Sequence, residues 1–170
     1  MLGKSYDTQV CSAARALEVV GERWSLLIVR DALFAGSTRF TDWLRLGIAT
    51  NVLTSRLDGL VEAGIMDAVV TPAKPDHREY LLTEKGRDLV PVIVTLTEWG
   101  DRWAAPAGPP ILYVHSVCGG PVTQQTVCAG CGRVHDPAEV SVRPGPGMPA
   151  DIAARMGGNP TGAAHAGPTT

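Results

Sequence analysis

The sequence predicts a mainly α fold carrying one small β-hairpin, followed by a separate small Cys/His module. Three observations lead there. Apolar residues recur at helical spacing in four segments before residue 104. Two short strand-like runs flank a loop with two prolines at 72 and 75. After a Pro/Ala/Gly stretch at 104–110, a second composition begins in which a ligand-type residue, two spacers, Cys and Gly occur twice.

Residues 10–20 read as a short helix with Cys11, Ala14, Leu17 and Val20 on one side, ended by Gly21. Residues 24–34 hold the nearly continuous apolar run Leu26-Leu27-Ile28-Val29, which suits a central helix buried on most sides. Residues 38–46 form the next helix, with Phe40, Trp43 and Leu44 as its apolar face and Ser37 or Thr38 as its cap. Gly47 makes a corner, and a further helix runs over 49–63. Its Leu53, Leu57, Leu60 and Val61 face a core.

The opposite face of that helix carries Thr50, Asn51, Thr54, Ser55 and Asp58, flanked by Arg56. Short hydroxyl and amide side chains lower helix propensity, so their presence asks for a reason. In a DNA major groove such groups reach base edges and thymine methyls; otherwise they are an ordinary solvated face.

Strands are expected at 65–70 and 79–82, joined by Thr-Pro-Ala-Lys-Pro-Asp-His-Arg. Thr83 then caps a helix expected to run to Trp103, with Leu89, Val92, Ile93, Leu96, Trp99 and Trp103 as one stripe and Pro91 tolerated near its start. Three packed helices, a hairpin and a closing helix make a winged helix-turn-helix, in which 49–63 reads DNA and the hairpin is the wing. The wing tip sets Lys74, His77 and Arg78 against Asp76, which suits a phosphate or minor-groove contact.

Composition limits this reading. The formal net charge is −2, so a DNA contact rests on a local patch and two copies acting together. A hydrophobic fraction of 45% suffices for a packed core. No apolar run reaches the ~18 residues of a membrane span, and the N-terminus lacks an apolar signal region, so a cytoplasmic chain without a membrane partner is expected.

Taken together, Cys11, Ala16-Leu17, Gly21, Trp24, Leu27-Ile28, Arg30, Gly36, Arg39-Phe40, Ile48, Leu53-Thr54, Arg56-Leu57, Leu60, Gly64-Ile65, Glu79-Tyr80, Leu82-Thr83, Gly86 and Trp99-Gly100 resemble the HxlR-type transcriptional regulators, themselves similar to the MarR group. The resemblance covers about residues 10–104. It implies a homodimeric winged-helix regulator, a repressor on a pseudo-palindromic double-stranded operator, joined through its N-terminal and post-wing helices. It implies base reading by Thr50, Asn51, Thr54 and Ser55, with Arg39, Arg56, Lys74, His77 and Arg78 on the backbone or in the wing. One departure is Ala49, where the family often has a capping Ser. Thr50 is expected to take over by shifting the helix start one residue, leaving Asn51, Thr54 and Ser55 as the better base readers. Cys11 matches a cysteine that some relatives use to sense an oxidant or electrophile; the plainer reading is a small apolar residue at an interface.

The tail divides into a linker at 105–110, a module at 111–142 opening on a short strand at 111–114, and a Pro/Gly/Ala-rich segment at 143–170 expected to be disordered, as are residues 1–9. In the module, His115-x-x-Cys118-Gly and Cys128-x-x-Cys131-Gly repeat one another with nine residues between Cys118 and Cys128. Paired ligands two residues apart suit a tetrahedral structural Zn2+ site, with His135 as an alternative fourth ligand. A Cys128–Cys131 redox pair and simple unliganded cysteines are the competing readings. The carboxylates nearby are Asp136 and Glu139, which provide no acid–base pair for an enzyme. The remaining alternative is a winged-helix protein-interaction module without specific DNA binding.

Overall fold

The computed structural model describes residues 6, 9–70, 78–132, 136 and 139–157. They are helix-rich with one two-stranded antiparallel sheet. The order is α1 (Ser12–Val20), α2 (Ser25–Phe34), α3 (Phe40–Trp43) with a 3-10 turn at Leu44–Leu46, α4 (Thr50–Glu62), β1 (Met66–Val70), β2 (Arg78–Leu82), α5 (Glu84–Arg87), α6 (Val90–Ala104) and α7 (Ala150–Gly157). This is the winged helix-turn-helix arrangement the sequence predicts. The chain divides into two compact units, one ending at Gln124 and one beginning at Gln125.

The core of the first unit is built around α2. Ile28 and Val29 are fully buried, as are Trp43, Leu53, Leu57 and Met66. Full burial of each such aliphatic side chain is worth roughly 1.5–3 kcal/mol. The Trp43 indole N–H donates to the Ile28 carbonyl at 3.1 Å, and its ring meets Tyr80 edge-on with centroids 6.0 Å apart. That single side chain therefore joins α2, the helix-turn-helix and the wing.

Buried charge is also used here. Asp31 of α2 is 5% exposed and receives Arg30 at 2.7 Å and Arg45 at 3.3 Å. Arg45 also donates to the buried Ser37 hydroxyl at 2.9 Å. Ser37 is thereby engaged, and it is not the cap of α3. The N-cap is Arg39, and the first turn is held instead by Asp42, whose carboxylate accepts the Thr38 and Arg39 N–H groups at 3.0 and 2.9 Å. These N–H groups, Arg39's above all, hold the Asp42 carboxyl below its usual range, aided by the Arg39 and Arg45 charges and opposed by desolvation.

Two expected boundaries differ. The post-wing helix is two helices, because Pro91 at the start of α6 has no N–H to continue α5. Residues 111–114 form no strand; Val114 makes an isolated bridge to Pro121, and Tyr113 packs on Phe34 with the rings tilted at 48° and centroids 4.6 Å apart. The first unit thus extends past the expected linker to Gln124, whose N–H donates to Glu98 at 3.2 Å.

In the second unit α7 lies within the segment expected to lack structure, with an Asp151–Arg155 pair at 3.4 Å one turn apart. Its periodicity was hidden by flanking glycine and proline.

Candidate nucleic-acid interface

Gly47 turns the corner before α4 with φ of 72°, a left-handed value that glycine adopts without strain. The helix then begins at Thr50, with Ala49 at the N-cap and no side-chain cap. The expected shift of the cap to Thr50 does not occur: Ala49 is already extended, and its carbonyl accepts the first helical bond from Leu53.

Leu53, Leu57 and Leu60 are buried, while Thr50, Asn51, Thr54, Ser55 and Asp58 are exposed. The four proposed base readers therefore share one solvent-facing side of α4. Thr54 donates its hydroxyl to the Thr50 carbonyl at 2.9 Å. Its proton is engaged, leaving a methyl and oxygen lone pairs outward. Arg56 turns aside and pairs with Glu22 at 2.7 Å.

The wing strands pair Met66 with Leu82, Ala68 with Tyr80 and Val70 with Arg78. Arg78 is exposed at the outer end of β2. Lys74 and His77 lie outside the described residues. Sequence reasoning missed one connection: the Tyr80 N–H donates to the Thr38 carbonyl at 2.7 Å and Arg39 bridges to Glu79 as a one-residue third strand. The Arg39 guanidinium also pairs with Glu79 at 3.5 Å while its side chain stays 57% exposed.

Cys11 is the exposed N-cap of α1. The backbone N–H of Ala14, then that of Ala13, lowers its thiol pKa from the usual value, against a small desolvation effect. Leu17 on α1 and Val92, Leu96, Trp99 and Trp103 on α6 are exposed, the two tryptophans by 61% and 69%. Such large apolar groups in one stripe mark an interaction surface.

The two Cys-bearing turns share local geometry. The Gly119 N–H donates to the His115 carbonyl at 2.8 Å, and the Gly132 N–H donates to the Cys128 carbonyl at the same distance. Both glycines are left-handed, with φ of 71° and 66°. His115 Nδ1 lies 3.2 Å from Cys118 Sγ. Among the described residues no three His, Cys, Asp or Glu side chains gather as a metal site. His135 lies outside the described residues.

The HxlR-like helix-turn-helix family model matches residues 19–107. The chain is 46% identical over 144 residues to an uncharacterised HTH-type transcriptional regulator of Mycobacterium tuberculosis, Rv3095, covering 84% of this chain and 90% of that one. Among solved structures, PA1607, a proposed transcription factor, superimposes with a TM-score of 0.72 at 40% identity over 80% of this chain and 96% of that one. PA1374 of Pseudomonas aeruginosa, another proposed transcription factor, gives 0.60 at 37% identity over 85% and 99%. The redox regulator HypR in its reduced form gives 0.50 at 31% identity, over 54% of this chain and 92% of that one.

Proposed function

The chain belongs to the HxlR-like helix-turn-helix family and is a transcriptional regulator rather than an enzyme, and from that premise we propose a cytoplasmic homodimeric repressor that reads a pseudo-palindromic operator. The observation that carries the reading is the face of α4, where Asn51, Thr54 and Ser55 stand exposed over a fully buried leucine row. Thr50 adds a fourth group at the helix start. Arg39, Arg56 and Arg78, with Lys74 and His77 of the wing, position the DNA backbone. The apolar stripe of α6 and Leu17 of α1 supports a two-fold partner, and a second copy makes up for the low net charge.

The test is binding by the full chain to a selected operator and to random duplex over a range of salt. Asn51→Ala and Thr54→Ala are expected to weaken operator binding by about 1–3 kcal/mol each where they read bases, with little effect on random DNA. Arg78→Ala is expected to weaken both and flatten the salt slope. Equal loss on both DNAs for all three removes the base-reading assignment. Absence of salt-sensitive binding moves the reading to a protein-interaction module.

A specific observation favours an added oxidant or electrophile response at Cys11: its thiol is exposed at a helix N-cap that favours the thiolate. A structural zinc ion held by His115, Cys118, Cys128 and Cys131 is supported by the donor chemistry and by the matching turns at the two pairs. Its role is to order the tail.

A further inference from the structure

Arg56 is the one basic residue of α4, yet it does not stand out toward solvent. Its Nη2 donates to Glu22 Oε2 at 2.7 Å, 34 positions earlier in the chain. Glu22 sits at the corner between α1 and α2. Gly21 keeps that corner tight, because a Cβ there would stand 2.4 Å from the Leu17 carbonyl oxygen. Glu18, Glu22, Asn51, Thr54, Ser55 and Arg56 all line one groove of about 730 Å³. The ion pair thus lies beside the proposed base readers.

We propose that Glu22 is a positioning residue that withholds Arg56 from the backbone of random DNA, so that only operator binding exchanges the Glu22 carboxylate for a phosphate. The proposal rests on the DNA-binding reading given above. Carboxylate and phosphate offer a guanidinium the same planar pair of acceptor oxygens. The Glu22 side chain is 59% exposed, so water weakens its hold. In the held state the Arg56 Nε is buried without a hydrogen-bond partner among the described residues, a second reason the pair gives way. An arginine left free on a reading helix would attract every DNA alike. Holding it back leaves discrimination to the neutral groups beside it.

The experiment measures binding of the full chain to operator and random duplexes, by fluorescence anisotropy from low to high salt. The proteins are wild type, Glu22→Gln, Arg56→Gln and the double variant. One added phosphate contact per protomer steepens the salt slope by about 0.9 and tightens binding up to about eightfold at about 0.1 M salt, so by about 1.8 and up to about sixtyfold for a dimer. Glu22→Gln is expected to show that gain on random DNA, fading as salt rises, and the gain is expected to vanish in the Arg56→Gln background. A steeper slope is a readout that a merely structural contact would not produce. Glu22→Gln binding that is unchanged or weaker overturns the proposal, as does a gain that persists without Arg56. Wild-type chain that binds neither duplex overturns the functional reading itself. Thermal melts accompany each variant; Arg56→Met, which keeps the half-buried stem, completes the same cycle where Arg56→Gln does not fold.

Discussion

Replacing Gly86 by Ala tests how the wing is seated. Gly86 is buried in α5, and a Cβ added there would lie 2.2 Å from the Ile65 carbonyl oxygen and 2.8 Å from a Leu82 methyl. The carbonyl is backbone and is already fixed, since the Thr83 N–H donates to it at 3.1 Å and the Thr83 hydroxyl bonds Gly64 O at 2.7 Å. The collision cannot be relieved by a side-chain rotation alone. Overpacking of this kind costs about 1–3 kcal/mol. At roughly 4 °C per kcal/mol for a domain of this size, the melting temperature should fall by about 4–12 °C. The control is the same substitution at Gly59 in α4, where nothing lies within 4 Å of the added Cβ. There alanine should stabilise the helix by about 0.5–1 kcal/mol. Melts followed by circular dichroism at one protein concentration compare the two. Shifts of the same sign at both positions would refute the close-approach argument.

Further outcomes are expected. Asp42→Ala should cost about 1 kcal/mol at neutral pH by freeing two N–H groups at the start of α3. Because the folded carboxyl is depressed, its contribution is present above the unfolded pKa of about 4 and is lost as pH falls through the folded value. The difference between wild-type and variant melting temperatures should therefore shrink in acid. Trp99→Ala, at a side chain 61% exposed on α6, should weaken self-association by about 2 kcal/mol, or roughly thirtyfold in dimer Kd, measured by sedimentation. Purification without chelators should yield one zinc per chain, and Cys118→Ser should lower that content; less than half a zinc in the wild type counts against the metal.

Helix α4 was legible because Leu53, Leu57 and Leu60 recur at helical spacing while Asn51, Thr54 and Ser55 fall between them. The two Cys turns were legible as a spacing repeated in sequence, and their matching hydrogen bonds have the same local origin. Contacts between distant positions left no periodic trace. Arg56 and Glu22 are separated by 34 positions, and nothing local to either predicts the pair. The Thr38–Arg39 edge was too short for alternation to reveal a strand. The break at Pro91 is masked in sequence by the apolar stripe that runs on past it.

The bridge between Arg39 and Glu79 has a consequence for how such a regulator can change its target. It laces the hairpin to the lead-in of α3, while Trp43 and Tyr80 fasten the same two parts from inside. The hairpin and α3 are thus joined both at the edge and in the core, as one tool. In the function proposed above, which bases are recognised is a property of that tool and of α4, which follows α3. In the homodimer proposed above, how far apart two such tools stand is set by α1 and α6. On that proposal, operator letters and operator spacing are written in different parts of the chain, and substitutions in one can accumulate without rewriting the other.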